Sequence, residues 1–148
     1  MSTPFRRLHH VCVVVHDIDR AQAYYESIGI GPWQDYPPLT EYTDLDVPNP
    51  AAFNQMRYRV VNLDNVQLQL CQPPELDCPQ RQFLDAHGEG VFHLGFEHAV
   101  EDGIGQARAL GLSVLMRGQR PNGSGFAYFD TAAEAGVVLE IRQSAPTS

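Results

Sequence analysis

Four polar side chains lie in strand-like stretches whose neighbours are apolar. They are His10 in His-Val-Cys-Val-Val-Val, Gln69 in Val-Gln-Leu-Gln-Leu-Cys, His93 in His-Leu-Gly-Phe and Glu140 in Val-Val-Leu-Glu-Ile. Successive side chains of a strand point to opposite faces. Val11, Val13 and Val15 therefore share one face, and His10, Cys12 and Val14 the other. Gln67, Gln69 and Cys71 oppose Leu68 and Leu70, and His93 and Gly95 oppose Leu94 and Phe96. In the last segment Val137, Leu139 and Ile141 take the apolar face, which leaves Glu140 with Val138 on the other. Each histidine has a small residue two positions on, Cys12 or Gly95, which leaves room for something bound between the strands. A carboxylate in an apolar strand is costly to bury unless it is paired or metal-bound. Two imidazoles, an amide oxygen and a carboxylate form an N/O donor set suited to Zn, Ni, Co, Fe or Mn. Taken singly, each residue has a plainer explanation: a core histidine, a glutamine beside Gln67, or a sheet salt bridge from Glu140 to Arg142 or Arg59.

The two histidines stand at matching places in a repeat. His10 to Gly29 spans 19 residues and His93 to Gly111 spans 18. Each reads as a strand, a helix and a glycine stop, the signature of a duplicated unit. Asp17 caps the first helix, and Ile18, Ala21, Tyr24, Tyr25 and Ile28 recur at helical spacing. Gly29 supplies the left-handed residue that ends it. In the second copy Val100, Ile104, Ala107 and Leu110 recur before Gly111, with Gly103 and Gly105 weakening the helix by about 1 kcal/mol each. Strand-like runs follow at 32–36, 56–62 and 66–72, and again at 113–119, 125–129 and 137–142. Turns are expected at 63–65 and at Asn122-Gly123, and a short helix at 80–86. Residues 37–53, rich in Pro, Asp and Asn, read as a long loop over an opening rather than a strand. The expectation is a single α+β domain over 1–148. Its two βαβββ modules, 8–72 and 91–143, form curved half-barrels around a cup.

Composition narrows the function. The chain of 148 residues is 43% hydrophobic and 19% charged, enough for a core and too apolar for disorder. A net charge of −8 argues against nucleic acid or an anionic membrane as main partner. No run approaches the roughly 18–20 apolar residues of a membrane span, and none resembles a signal peptide. Cys12, Cys71 and Cys78 are odd in number and lack CxxC spacing, so they read as reduced thiols of a cytoplasmic protein.

The residues Leu8–Asp17, Val61–Pro73, Phe83–Phe96 and Gly136–Ile141 resemble the vicinal oxygen chelate superfamily. That is the fold of glyoxalase I, methylmalonyl-CoA epimerase, extradiol dioxygenases and bleomycin-binding proteins, and the resemblance is greatest to the epimerase and its glyoxalase-like neighbours. It covers almost the whole chain. It implies paired modules around one divalent ion, with ligands on the first and last strand of each module, here His10, Gln69, His93 and Glu140. His9 is a rival for the first place, but strand parity turns it outward. The epimerase resemblance also implies a glutamate on the strand before Gln69. Here no carboxylate stands between Phe53 and Leu63, and Tyr58 takes the corresponding face.

The implied activity is a metal-dependent isomerase, epimerase or lyase on a small α-oxo or acyl-thioester substrate. Glu140 would shuttle the proton and Tyr58 would polarise or protonate. An Fe(II) dioxygenase using His10, His93 and Glu140, and a metal-free binding protein, are the alternatives. The 37–53 loop could act as a lid or supply the missing acid/base through Glu41, Asp44 or Asp46. Arg57 and Arg59 face away from the metal by parity. A homodimer is the expected assembly.

Overall fold

The strands run in the order one expects of a duplicated unit joined edge to edge. The computed structural model describes residues 2–146, so Met1 and the last two residues of the expected domain lie outside the described residues. In the first half, β1 (Leu8–Val14) leads into α1 (Ile18–Ser27) and a short β2 (Gln34–Asp35). Then come β3 (Asp44–Asp46), α2 (Pro50–Asn54), β4 (Arg57–Asn62) and β5 (Gln67–Gln72). A connecting helix α3 (Pro79–His87) precedes the second half: β6 (Gly90–Glu97), α4 (Val100–Ala109), β7 (Val114–Gln119), β8 (Gly125–Phe129), α5 (Ala132–Ala135) and β9 (Val138–Gln143). All nine strands join one curved, unclosed sheet in the order β2-β4-β5-β1-β6-β9-β8-β7-β3. The halves meet where β1 pairs antiparallel with β6, and each of these pairs in parallel with the last strand of its own half, β5 or β9.

Local chemistry explains the punctuation. Asp17 accepts the Arg20 N–H at the start of α1, and Gly29 and Gly111 adopt φ of +91° and +87° after α1 and α4. The helices cover the convex face. Ile18 packs with Val15 and Leu70, while Val100, Ile104 and Ala107 pack with Ala127, Phe129 and Ile141. The concave face holds its own apolar set, including Cys12, Val14, Phe53, Cys71, Phe92, Phe126 and Tyr128. No helix among the described residues is long and apolar enough to cross a membrane. Cys12, Cys71 and Cys78 are free and buried.

Two expectations change. Residues 37–53 are not a bare loop. They carry β3, which pairs antiparallel with β7 at the far edge of the second half, and the capped helix α2. Three residues, Asp-Leu-Asp, are too few to show alternation, and the strand forms because a distant edge offers it partners. The segment thus crosses from one rim of the sheet to the other. Asp44 and Asp46 are exposed while Leu45 joins the apolar packing.

The second change concerns the glycines of α4. A Cβ on Gly103 would collide with Cδ1 of the fully buried Ile141, so this glycine sets how closely the helix approaches the sheet. A Cβ on Gly105 meets nothing within 4 Å. Gly105→Ala is expected to raise unfolding free energy by about 1 kcal/mol through helix propensity. Gly103→Ala is expected to lower it, because overpacking of about 1–3 kcal/mol offsets that gain. Urea denaturation of the two variants should give shifts of opposite sign.

Candidate metal centre

Strand register brings the candidate residues together in two rows on the concave face. Gly95 pairs with His10 on one side and Glu140 on the other. Cys12 pairs with Gln69 on one side and His93 on the other. Each row is a small residue flanked by two polar ones, and the duplication exchanges the rows. The small residue at 95 makes room, but for His10 itself: a Cβ there would overlap Cε1, Nε2 and Nδ1 of the imidazole. The sequence suggested a vacancy for a bound molecule. The ring fills it in order to reach across to Glu140.

The resulting contacts are short. His10 Nε2 lies 2.9 Å from His93 Nε2 and 3.4 Å from a Glu140 oxygen, and His93 Nε2 lies 3.0 Å from the other Glu140 oxygen. The three residues are buried, with His93 1% and Glu140 4% exposed. They form a group whose donor atoms all lie within 4.8 Å of one another. Burial alone would push the Glu140 carboxyl up. The imidazoles of His10 and His93 outweigh it and hold the group well below the usual carboxylate range. Burial, helped by His10, pulls His93 down against the opposing pull of Glu140. Two ring nitrogens and a carboxylate crowded together in a dry site are favourable only with cationic charge among them, as protons or as a metal ion. The donor set and its convergence therefore fit a divalent ion.

Gln69 is buried on the neighbouring strand and lines the same cavity. Its Nε2 donates to Gln67 Oε1 at 2.8 Å, which leaves the carbonyl oxygen as the end free for a ligand. Tyr58 also lines the cavity, opposite Cys71 on β5. Burial drives its phenol well above the ordinary tyrosine value. Tyr58 is thus a proton or hydrogen-bond donor, not a base. Arg57 and Arg59 lie on the outer face as expected, paired with Asp19 and, for Arg59, Asp35.

His9 departs from its expected outward position. A register shift between Leu8 and His10 bends β1, and the His9 ring turns to place Nδ1 2.9 Å from His10 Nδ1. Arg142, itself paired with Glu97, donates to His9 Nε2 at 3.1 Å. Burial and the adjacent Arg142 pull His9 down to about 4, so it is neutral at pH 7. With Nε2 taken by arginine, His9 meets His10 through Nδ1. His9 is therefore a positioning residue for His10 and not a rival ligand.

The cavity above these residues has about 530 Å³ of empty space, open solvent included. Tyr36, Leu39, Tyr42, Phe53, Phe126 and Tyr128 wall it, with Arg120 among them. Arg120 was not singled out from the sequence. It follows a strand at the turn 120–124, and its surroundings come from residues some 80 positions earlier.

A family model described as the glyoxalase/bleomycin resistance protein/dioxygenase superfamily matches residues 9–129. No curated protein matches the sequence significantly. Among solved structures, methylmalonyl-CoA epimerase from Mycobacterium tuberculosis is similar at 19% identity and TM-score 0.71, covering 99% of this chain and 93% of that one. A Streptomyces coelicolor methylmalonyl-CoA epimerase variant in complex with 2-nitronate-propionyl-CoA is similar at 24% identity and TM-score 0.69, covering 95% and 98%. A hypothetical protein from Bacillus halodurans is similar at 16% identity and TM-score 0.69, covering 96% of each chain.

Proposed function

This chain belongs to the glyoxalase/bleomycin resistance protein/dioxygenase superfamily. From that premise we propose that it is a divalent-metal-dependent isomerase or epimerase, or a lyase of the same type, acting on a small α-oxo or acyl-thioester substrate. The observation that carries the reading is the convergence of His10, His93 and Glu140 at a cavity with an aromatic wall. His10, Gln69, His93 and Glu140 would hold the ion. When bound, the ion would supply Lewis-acid polarisation of two adjacent substrate oxygens, which acidifies the neighbouring C–H.

The chain's own residues do the rest. Glu140 is the carboxylate that lines the cavity among the described residues, and it stays ionised across the physiological range. One of its oxygens takes the proton that leaves carbon and returns it. The acidic residues of 37–53 are poorer candidates, since Asp44 and Asp46 are exposed and Glu41 is 56% exposed and does not line the cavity. Tyr58, kept protonated by burial, donates to a substrate oxygen as negative charge builds there. The aromatic wall keeps bulk water from the acidified carbon. A similar structure in complex with methylmalonyl-CoA supports keeping acyl thioesters among the substrates. A homodimer belongs to the same reading, and size-exclusion chromatography with light scattering checks it.

The test is proton exchange. Protein loaded with cobalt, nickel, zinc or manganese is incubated in D2O with methylmalonyl-CoA and with small α-oxo acids and aldehydes. Deuterium entering the substrate carbon, seen by NMR and abolished by chelation, is the expected result. Oxygen uptake by the iron-loaded protein without exchange would point to a dioxygenase. Tight ligand binding that survives full chelation would point to a binding protein.

A further inference from the structure

Arg120 is a buried cation that the protein's own groups serve poorly. Its side chain is 8% exposed, and it lines the same cavity as His10, Gln69 and Glu140. The guanidinium carbon lies 4.0 Å from the centre of the Tyr42 ring and 5.5 Å from that of Tyr36. One terminal nitrogen reaches the carbonyls of Pro37 and Pro38 at 3.4 and 3.5 Å, the long limit of a hydrogen bond. The buried Nε has no hydrogen-bond partner among the described residues. The carboxylate facing it, Glu41, is 3.8 Å away and 56% exposed. Arg142, the other cation at the cavity, is bonded to Glu97 at 2.8 Å. A guanidinium offers five N–H donors in a fork, and burying it with a donor unused is unfavourable unless an acceptor arrives.

We propose that Arg120 is the specificity determinant of this site, and that it binds a carboxylate on the substrate remote from the oxygens held at His10, Gln69, His93 and Glu140. This rests on the metal-dependent reading above. The substrate class narrows to small acids with a chelating oxygen pair at one end and a carboxylate at the other. The backbone of Arg120 is fixed by its N–H to the Ser124 carbonyl at 2.8 Å, and Tyr36 and Tyr42 hold the guanidinium plane. The fork is therefore ordered before an acid arrives.

The experiment is calorimetric titration of the full chain, with and without cobalt(II). The probes are 2-oxoglutarate, 2-oxoadipate and 4-carboxyphenylglyoxylate, each compared with the ester of its distal carboxylate. At least one acid should bind about tenfold to a hundredfold more tightly than its ester, the value of a charge-assisted bond. Arg120→Met, which keeps the apolar stem, should bind acid and ester alike, and Arg120→Lys should keep part of the preference. No binding by any acid, acid and ester binding equally in the wild type, or a preference that survives Arg120→Met would each overturn the proposal. The two readings fail differently. Discrimination that depends on Arg120 but not on cobalt supports the anion site and sinks the metal reading. Cobalt-dependent binding that ignores the distal charge does the reverse.

Discussion

Replacing either His10 or Glu140 by alanine should abolish stoichiometric divalent binding while circular dichroism shows the fold retained. The loss should exceed the roughly 10–100-fold cost of removing an outer partner, since each change deletes a donor atom. The two carboxylate oxygens of Glu140 face different imidazoles, so one substitution strips contacts from both His10 and His93. The thermal readout follows from mass action. With the free ion roughly 1,000-fold above its Kd, the wild type gains about 4 kcal/mol. For a domain near 150 residues that is a rise in Tm of about 8–16 °C. The variants should show no rise, and calorimetry with added cobalt, nickel, zinc or manganese checks it. A wild type whose Tm ignores all of these ions would defeat the metal centre.

The pH dependence has a definite sign. Glu140 is held below the ordinary carboxylate range, so it does not compete for protons near neutrality. His93 lies below the ordinary histidine value of 6.5, mainly through burial. Protonation of His93 should therefore weaken ion binding only below 6.5, and protonation of Glu140 should not weaken it near neutrality. A decline centred well above 6.5 would contradict this ordering.

Much of this centre was legible because strands make it. Period-two alternation put His10, Gln69, His93 and Glu140 on one face each, and the repeat related the histidines. Those signals are local, and the sheet preserved them. What was not legible depends on groups far apart in the chain. His9 turned inward because β1 carries a register shift that alternation cannot show. β3 exists because Asp44–Asp46 meets Gly118 and its neighbours on β7. Arg120 gained its surroundings from Tyr36, Pro37, Pro38 and Tyr42, which that crossing segment delivers. Gly103 read as a weakness of its helix, because propensity describes the helix and not the Ile141 side chain beneath it.

Gly95→Ala should cost more than any other single methyl group added near the centre. The new Cβ would overlap three atoms of the His10 ring, and the ring has little freedom to yield. Its Nδ1 faces His9 at 2.9 Å, and its Nε2 faces His93 at 2.9 Å and Glu140 at 3.4 Å. His10 must leave the donor group or the strands β1 and β6 must part. Overpacking of this kind costs about 1–3 kcal/mol of stability. Ion affinity should fall at least about tenfold to a hundredfold, as when a partner that orients a ligand is lost. A double-mutant cycle separates this cause from a general weakening of β6. His10→Ala removes the ring that the methyl strikes, so adding Gly95→Ala to it should cost little further stability. Strong coupling is thus expected, whereas additive losses would show that the methyl disturbs something other than His10. The duplication sharpens the point. Cys12 holds the equivalent place beneath His93 and carries a Cβ, so the two imidazoles cannot approach their strands alike. The asymmetry lets His10 lie over the backbone of Gly95 and reach Glu140, and a methyl group at 95 would erase it.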